Sequence, residues 1–422
     1  MSRVVRCRWI SDFSAPSRAG NRSCEYEAYI PDTLVDRQIT LDGDVAADVA
    51  DAEAAIARLN TEATVLVDTE ALARILLRAE AVASSRIEGL EIGARRLLHA
   101  EFLRGTYETA SDVTAAEILN NIDAMMFAVE SVSIGDQITM DLLLDIHRRL
   151  LAGTRLESHG GVVRDQQNWI GGNSYNPCSA TFIPPPPENV DHLLQDLCAF
   201  SSTDDLPAVA QAAIAHAQFE TIHPFVDGNG RTGRALIHLI LRRRGLATRV
   251  LPPVSLILAT WASDYIDGLT QFRYLGAPAS KSAIAGLNAW VGRFAGSCNR
   301  AVSDAGDFER RAVEIERGWR RRVGRIRANS ATDLLLRALL GAPVVTTNSA
   351  AELIGRSFVQ TNEAITRLVE AEILRQVTVG RRNRAFEAPE IIAAFAALER
   401  QLASPDGDLL SSEAGRRVSR KR

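Results

Sequence analysis

The sequence predicts a mainly α-helical protein with more than one domain, and three observations support this prediction. Apolar residues recur at helical spacing over most of the chain, for example in "TEALARILLRAEAVASSRIEG" and "PAVAQAAIAHAQFETI". The segment 153–187 breaks this pattern with glycines, β-branched and aromatic residues and a final run of four consecutive prolines, so we expect an extended hairpin or flap there. After residue 330, short helical stretches precede an alternating, glycine-broken stretch, which is typical of a winged helix-turn-helix domain.

The predicted elements divide the chain into five parts. Residues 1–42 are mixed and rich in turn formers, and helical periodicity begins at Asp44. We expect an N-terminal region, 1–110, whose helix at about 68–90 ends at Gly89. A core, 111–305, follows. Helices are expected around 91–104, at the end of the N-terminal region, and around 111–130 and 138–152, in the core. The remaining parts are a charged helical linker, 306–329, a winged-helix domain, 330–400, and a disordered basic tail, 401–422.

Local signals place several helix ends. Gly245 follows "RTGRALIHLILRRR" and is expected to end that helix. Ser349 with Glu352, and Ser357 with Gln360, have the spacing of capping boxes. We therefore expect two helices of the C-terminal domain to begin at Ser349 and Ser357.

Composition excludes several classes of protein. The 422 residues include 46% apolar and 24% charged residues with a net charge of −4, so the chain is not a generic polycation for nucleic acid. No window has the roughly 18 apolar residues of a membrane span. The odd number of cysteines and the absence of metal-ligand spacing argue against a disulfide framework and favour a reducing, cytoplasmic compartment. The five cysteines are Cys7, Cys24, Cys178, Cys198 and Cys298.

The stretch "HPFVDGNGRTGR", His223 to Arg234, lies between two apolar helices and has the features of an anion site. Gly228 and Gly230 on either side of Asn229 allow the backbone N–H groups to point into one concavity. The helix that begins after this turn adds a favourable dipole. Arg231 and Arg234, three residues apart, offer forked donors to phosphate.

A base and a metal ligand flank this turn. A histidine side chain ordinarily titrates near neutrality, so His223 is a candidate to take a proton from a hydroxyl. Asp227 places one carboxylate beside the anion site, and Mg²⁺ is commonly held by one or two carboxylates and substrate phosphates. Each feature alone also has a structural interpretation, as a core histidine, a tight turn or solvent-facing arginines. Together they indicate transfer of part of a nucleotide to a hydroxyl.

The stretch resembles the signature of the Fic family, His-x-Phe-x-(Asp/Glu)-Gly-Asn-Gly-Arg-x-x-Arg, at every fixed position. "RDQQNWIGG" and "ATFIPPPPENV" resemble the family's flap, which holds a target segment as an added strand, and the likeness extends over about 40–300. It implies a Fic-fold helical core and transfer of AMP from ATP to a Ser, Thr or Tyr hydroxyl, with release of pyrophosphate. The implied roles are His223 as general base, Asp227 as Mg²⁺ ligand, Gly228, Asn229, Gly230, Arg231 and Arg234 as phosphate-binding residues, and Phe225 as the core anchor.

"SSRIEG", Ser84 to Gly89, resembles the family's inhibitory pattern (Ser/Thr)-x-x-x-Glu-(Gly/Asn). Ser84 and Glu88 are four residues apart and share a helix face. The resemblance implies that Glu88 pairs with Arg234 and removes it from the ATP γ-phosphate, since a carboxylate and a phosphate compete for one guanidinium. An ordinary helix end with a glycine cap is the alternative.

The C-terminal domain has two alternative partners. Arg381, Arg382 and Arg384 at the tip of the expected hairpin suit phosphate contacts to DNA. Glutamates on the expected recognition helix, such as Glu363 and Glu370, oppose this, and a protein-binding or dimer-forming module is the alternative.

The sequence therefore predicts a Mg-ATP-dependent protein adenylyltransferase of the Fic type, restrained by an N-terminal helix. A de-AMPylase or another nucleotidyltransferase on the same site is the first alternative, because a phosphate cradle does not recognise the base. A nucleotide-sensing DNA-binding regulator is the second. The sequence does not identify the target protein or the signal that relieves inhibition. It allows a homodimer but does not fix the oligomeric state.

Overall fold

The computed structural model describes residues 1–11, 13, 15–66, 69–105, 112–379 and 383–401. The N-terminal part contains β1 (Arg3–Trp9), β2 (Cys24–Ile30), α1 (Gly43–Leu66), α2 (Thr69–Ile87), α3 (Ala94–Gly105), α4 (Val113–Glu130) and α5 (Met140–Leu151). The central part contains α6 (Val190–Ser201), α7 (Ala208–Ile222), α8 (Asn229–Arg243), α9 (Val254–Thr260), α10 (Ala262–Phe272) and α11 (Lys281–Val323). The C-terminal part contains α12 (Ala331–Gly341), β3 (Val344–Val345), α13 (Thr347–Ile354), α14 (Phe358–Glu370), β4 (Arg375–Val379), β5 (Asn383–Glu387) and α15 (Pro389–Gln401). The helices expected around 91–104, 111–130 and 138–152 are confirmed as α3, α4 and α5.

The main core is built around α7, whose 15 residues are all buried. This helix is rich in alanine, so neighbouring helices approach it on every side. It packs against α1, α6, α8 and α11, and Trp290 of α11 donates its indole N–H to the Ala213 carbonyl at 2.7 Å. The loop 223–228 joins α7 to α8 and is therefore held between two buried helices.

Helix α2 packs against α4, α8 and α9. Its buried Glu80 accepts a hydrogen bond from the Ser255 backbone N–H at 2.7 Å and lies 2.8 Å from His238 Nε2. The helix ends at Ile87, and Gly89 follows with φ +79°, a left-handed conformation that suits glycine. The predicted end of this helix is confirmed.

An antiparallel hairpin, β1–β2, lies in the segment 1–42, whose mixed, turn-rich sequence led us to predict no strands there. It packs on the segment 153–187, for which we expected a hairpin or flap. In that segment the pairing is a single antiparallel bridge between Ile170 and Phe182, and 3-10 turns form at Glu157–His159 and Pro177–Ser179. Trp9 of β1 makes an edge-to-face contact with Trp169, with ring centroids 5.4 Å apart. The buried Asn176 side chain donates to the carbonyls of Ala19 and Gly20 in the loop between β1 and β2. The hairpin and the flap therefore hold each other in place.

A disulfide joins Cys24 of the hairpin to Cys178 of the flap, 154 residues later. The expectation that the cysteines form no disulfide is wrong, because an odd count does not prevent one pair from meeting. Cys7, Cys198 and Cys298 are free thiols. Disulfides are typical of oxidising compartments, so the cysteines do not support the expected reducing compartment.

The expected linker 306–329 is largely part of α11, a single helix of 43 residues. Beyond it, α12, α13 and α14 pack around a separate core with the three-stranded sheet β3-β5-β4. Ala71 of α2 belongs to this second core, and Gly341 of α12 lies so close that an added Cβ would be 2.8 Å from the Ala71 Cα. The C-terminal part is thus packed against the start of α2.

One of the two expected capping boxes is confirmed. Ser357 caps α14 and Gln360 returns the contact, as predicted. The prediction for Ser349 is wrong: Thr346 is the N-cap of α13, and Ser349 is its partner three residues later. Thr346 has the same capping chemistry as serine, so the local pattern allowed either start.

Helix α15 returns to the main core, where Phe395 and Leu398 are buried. The winged-helix assignment stays a prediction, and residues 402–422 of the expected tail lie outside the described residues. Among the helices of the described ranges, none is long and apolar enough to cross a membrane.

Candidate functional site

The loop between α7 and α8 is fixed by its own side chains. Asn229 accepts from the Phe225 N–H and donates to the Phe225 carbonyl, both at 2.8 Å. The Phe225 ring is fully buried and stacks on His147, with ring centroids 3.7 Å apart. Gly228 has φ +77°, and a Cβ there would lie 2.8 Å from Leu150 Cδ2. The turn therefore requires a glycine and has one defined shape.

This shape gives the start of α8 the features that suit an anion. The first N–H groups of a helix have no partners within the helix, and the helix dipole favours negative charge there. A left-handed residue directly before the helix turns these groups toward one concavity. Gly230 lies in this first turn, and a Cβ there would overlap Oε1 of Glu88. The Glu88 carboxylate thus lies against the backbone that would bind an anion.

His223 lies at the end of α7 in a left-handed conformation, with φ +51°. Its carbonyl accepts from Arg164 Nε at 2.8 Å and Asn168 Nδ2 at 3.2 Å, so the flap holds the residue in this strained conformation. Burial lowers the pKa of His223 to about 4, and the nearby Glu88 carboxylate opposes this only in part. The imidazole is therefore neutral at physiological pH and has a lone pair for a proton.

Asp227 and Arg231 both lie at the start of α8, but they differ in exposure to solvent. The Asp227 side chain is 51% exposed, whereas that of Arg231 is 4% exposed, and Arg231 Nη2 lies 3.6 Å from Asp227 Oδ2. Arg231 Nε has no hydrogen-bond partner within the described residues. A buried donor without a partner at a helix start indicates an anionic ligand.

Arg234 binds the end of α2 through three contacts. Its Nε donates to Ser84 Oγ at 2.8 Å, and its Nη2 donates to the Ser84 carbonyl at 2.8 Å and to Glu88 Oε1 at 2.7 Å. Burial raises the pKa of Glu88, but the Arg234 guanidinium outweighs burial and holds the pKa below its usual range. The structure thus brings together the three side chains Ser84, Glu88 and Arg234.

The sequence did not single out several residues that shape the site. Arg164, 4% exposed, also donates to the Pro185 carbonyl at 2.6 Å and so ties the flap to the motif loop. Glu220 on α7 and Gly233 on α8 are in close contact. Only the position of Arg164 and Asn168 in the polar "RDQQNW" stretch signalled a role. Of the predicted DNA contacts, Arg384 is exposed on β5 and donates to Gln376 Oε1, and Arg381 and Arg382 lie outside the described residues.

Two family models match the chain. The Fic/DOC family model matches residues 137–241, which include the whole motif loop, and the Fic/DOC family N-terminal model matches residues 46–130, which include α2. Residues 46–130 and 137–241 are thus a Fic/DOC N-terminal region and a Fic/DOC domain. The fold of the chain is the mainly helical Fic fold with small antiparallel sheets. A Fic family protein from Desulfovibrio desulfuricans G20 shares this fold, with a TM-score of 0.51 and 21% identity over 83% of this chain and 98% of that chain.

The curated relatives are similar over part of their length. "Protein adenylyltransferase fic-1" of Caenorhabditis elegans is 31% identical over 184 residues, which are 43% of this chain and 34% of that relative. "Protein adenylyltransferase Fic" of Drosophila melanogaster is 35% identical over 139 residues, which are 32% of this chain and 26% of that relative. The chain therefore spans about a third or less of the length of these relatives.

Proposed function

We propose that this protein transfers AMP from Mg-ATP to a Ser, Thr or Tyr hydroxyl of a target protein, and that Glu88 inhibits the transfer by binding Arg234. The observation that carries the proposal is the position of Glu88. Its carboxylate lies against Gly230 at the start of α8 and 2.7 Å from Arg234 Nη2. A negative group thus occupies the place in which a nucleotide phosphate would be bound.

The start of α8 supplies the phosphate cradle. Backbone N–H groups of Asn229, Gly230 and Arg231 are suited to the α- and β-phosphates. Arg231 adds a buried guanidinium whose Nε has no partner in the described part of the chain. Arg234 is suited to the γ-phosphate once it is free of Glu88, because guanidinium binds phosphate through two parallel hydrogen bonds.

His223 is the general base in the proposed reaction. The target hydroxyl oxygen forms a bond with the α-phosphorus, and the bond from that phosphorus to the bridging oxygen of the β-phosphate breaks. The hydroxyl proton goes to the neutral imidazole, and pyrophosphate leaves with the electron pair of the broken bond. Charge in the transition state is stabilised by the helix start and by Arg231.

Asp227 fits a magnesium ligand. Within the described ranges, no group of three or more His, Cys, Asp or Glu side chains is arranged to hold a metal ion by itself. Asp227 offers one half-exposed carboxylate beside the cradle, which suits Mg²⁺ because this ion is usually held by one or two carboxylates and substrate phosphates. When bound, Mg²⁺ neutralises phosphate charge and supports the leaving pyrophosphate.

The flap is the proposed docking site for the target. Its two sides meet at the Ile170–Phe182 bridge, and Gln167 Nε2 donates to the Pro184 carbonyl at 3.0 Å, which keeps the chain extended beside His223. A target segment would add to this edge as a strand through main-chain hydrogen bonds. Such contacts recognise an extended backbone more than a sequence.

Removal of AMP is a second candidate for the same site. Glu88 acts electrostatically on His223 and is 34% exposed, so its carboxylate is placed to orient a water molecule beside the base. The two functions make opposite predictions for Glu88→Gly, which increases AMP transfer but abolishes AMP removal.

The C-terminal domain is proposed to be a winged helix that binds protein rather than DNA. Arg367 donates to the carbonyls of Val323 and Arg325, so it is engaged within the protein. At the start of α14, Phe358 and Val359 are 55% and 64% exposed, and apolar side chains suit a protein partner. A salt-dependent gel shift with genomic DNA fragments would contradict this proposal.

The position of the transferred label tests the chemistry. Glu88→Gly protein is incubated with Mg²⁺ and a host lysate in three reactions, with α-labelled ATP, γ-labelled ATP or α-labelled UTP, and protein-bound label is counted above that of the lysate alone. AMP transfer predicts protein-bound label from α-labelled ATP alone. Label from γ-labelled ATP would indicate a kinase-type reaction, and label from α-labelled UTP alone would indicate another nucleotidyltransferase. No label from any of the three would contradict the proposed transfer.

A further inference from the structure

A buried glutamate lies beside the proposed base and has no role in the reaction as described above. Glu220 is on the last turn of α7 and is 7% exposed. Its Oε1 has no hydrogen-bond partner among the described residues. It packs against Gly233 of α8, where a Cβ would lie 2.8 Å from this oxygen. A buried carboxyl oxygen without a partner is unfavourable, so its presence next to the motif loop indicates a function.

His223 has a matching unsatisfied atom. Its Nδ1 is buried and, within the part of the chain that the structure describes, makes no hydrogen bond. Glu220 Oε2 lies 3.9 Å from this nitrogen, which is too long for a hydrogen bond but short enough for a small side-chain rotation to close. The Glu220 peptide carbonyl also faces the ring, and Pro224 has no N–H to occupy it.

We propose that Glu220 is the positioning residue for His223: its carboxylate accepts a hydrogen bond from Nδ1–H and directs Nε2 toward the target hydroxyl. This inference rests on the proposed function. An imidazole whose Nδ1–H is held by a carboxylate has one defined tautomer, with the lone pair on Nε2. The contact also makes the imidazole more basic, because the carboxylate stabilises the imidazolium that forms when the proton arrives.

Charges around Glu220 connect this contact to the inhibitory helix. Burial raises the pKa of Glu220 to about 7, Arg234 of α8 and Arg273 after α10 lower it, and Glu88 raises it. The remaining groups near His223 are Glu88 and the cationic side chains of Arg164 and Arg273. When Glu88 leaves, one repulsive charge is removed from Glu220, which then ionises at a lower pH. Release of Glu88 therefore both frees Arg234 and prepares the partner of the base.

The test compares Glu220→Gln with its parent in a Glu88→Gly background. The glutamine keeps the shape of the side chain and removes its charge. We expect kcat for AMP transfer to fall about 10- to 100-fold, as for other residues that orient a functional imidazole, with KM for ATP unchanged. We also expect the pH at half-maximal kcat to fall, because loss of the carboxylate lowers the pKa of the base. Glu309→Gln, a buried glutamate on α11, is the matched control and should change neither quantity.

A second measurement does not depend on activity. The imidazole of His223 is titrated by NMR in both proteins and is assigned by its absence in His223→Ala. Loss of a neighbouring carboxylate should lower the pKa of His223 by about one pH unit. An unchanged pKa would overturn the proposal and leave the Glu220 peptide carbonyl as the group that orients the ring. A rise in KM at unchanged kcat would also overturn it. If Glu88→Gly transfers no AMP, the proposed function fails, and the NMR titration still decides the Glu220–His223 contact.

Discussion

Arg234 Nη2 lies 2.7 Å from Glu88 Oε1, although the two residues are 146 positions apart in the chain. The side chain of Arg234 is 1% exposed, and Ser84 takes two further hydrogen bonds from it. The Nε and Nη2 atoms of this buried arginine are therefore both engaged by the end of α2. In the proposed mechanism, a nucleotide can use this guanidinium only after α2 releases it.

Arg234→Ala is expected to weaken ATP binding and to free the end of α2 at the same time. A hydrogen bond to a charged group contributes about 1.5–3 kcal/mol, so in a Glu88→Gly background, where Arg234 is free to bind the nucleotide, the affinity for ATP should fall about 10- to 100-fold. Backbone hydrogen exchange around residues 84–89 should become faster, because Ser84 and Glu88 lose their common partner. Titration calorimetry and exchange measured by mass spectrometry check the two effects.

Arg243→Ala is the matched control for that variant. Arg243 is also buried on α8, but it binds Asp204 and the Asp136 carbonyl at the other end of the helix. This variant should lose stability and keep both ATP affinity and slow exchange at 84–89. Unchanged exchange at 84–89 in Arg234→Ala would show that the Glu88–Arg234 contact does not hold the helix.

His223→Ala is expected to retain ATP binding and lose transfer. The side chain supplies the base and makes no phosphate contact in the proposed mechanism, and removal of a general base usually slows a reaction about 10²- to 10⁴-fold. The change is made in a Glu88→Gly background so that transfer is measurable. His192→Ala, an exposed histidine on α6, is the control. Transfer near the parent rate would eliminate His223 as the base.

Glu220 should make stability decrease as the pH rises. Its pKa is raised from 4.5 to about 7 in the folded protein. Its contribution is therefore fully present below pH 4.5 and is lost as the pH rises through about 7. At about 1.4 kcal/mol for each pH unit, this difference amounts to about 3 kcal/mol.

Urea unfolding of the wild type and Glu220→Gln at pH 5 and pH 8 measures this effect. Glutamine carries no charge at either pH, so the variant should gain stability relative to the wild type at the higher pH. Equal differences in the free energy of unfolding at both pH values would mean that Glu220 does not ionise within the fold.

Reduction of the Cys24–Cys178 disulfide should destabilise the protein. The bond closes a loop of 154 residues, and disulfides that close long loops contribute about 2–5 kcal/mol. Dithiothreitol should lower the urea midpoint of the wild type and of Cys7→Ser, which retains the bond. It should not change the midpoint of Cys24→Ser. If the reductant leaves the wild type unchanged, the bond is not formed in solution.

The turn at the motif and the end of α2 were predictable because their signals are local. The spacing from His223 to Arg234 is encoded in twelve consecutive residues, and Gly89 marks the end of α2 directly. Thr346 was missed because Ser349 offers the same capping chemistry. The alternation in "RVVRCRW" and "CEYEAYI" was a signal for β1–β2 that we overlooked.

Contacts between distant segments were not predictable from local patterns. Cys24 meets Cys178, and Arg164 meets His223, only because the fold brings the hairpin, the flap and α7 together. Glu220 appears in the sequence as one polar residue of an apolar helix. Its burial follows only from the packing of α7 against α8, and its distance from His223, three residues later, depends on the left-handed end of α7.

The most direct test of the account compares the rate of AMP transfer from saturating α-labelled Mg-ATP in the wild type, Glu88→Gly and Glu91→Gly. Glu91 is an exposed carboxylate just beyond α2 and serves as the control. We predict that Glu88→Gly transfers AMP at least about 10-fold faster than the other two, because release of Arg234 restores a charged contact to the nucleotide. Equal rates in all three folded proteins would contradict the proposed inhibition by Glu88.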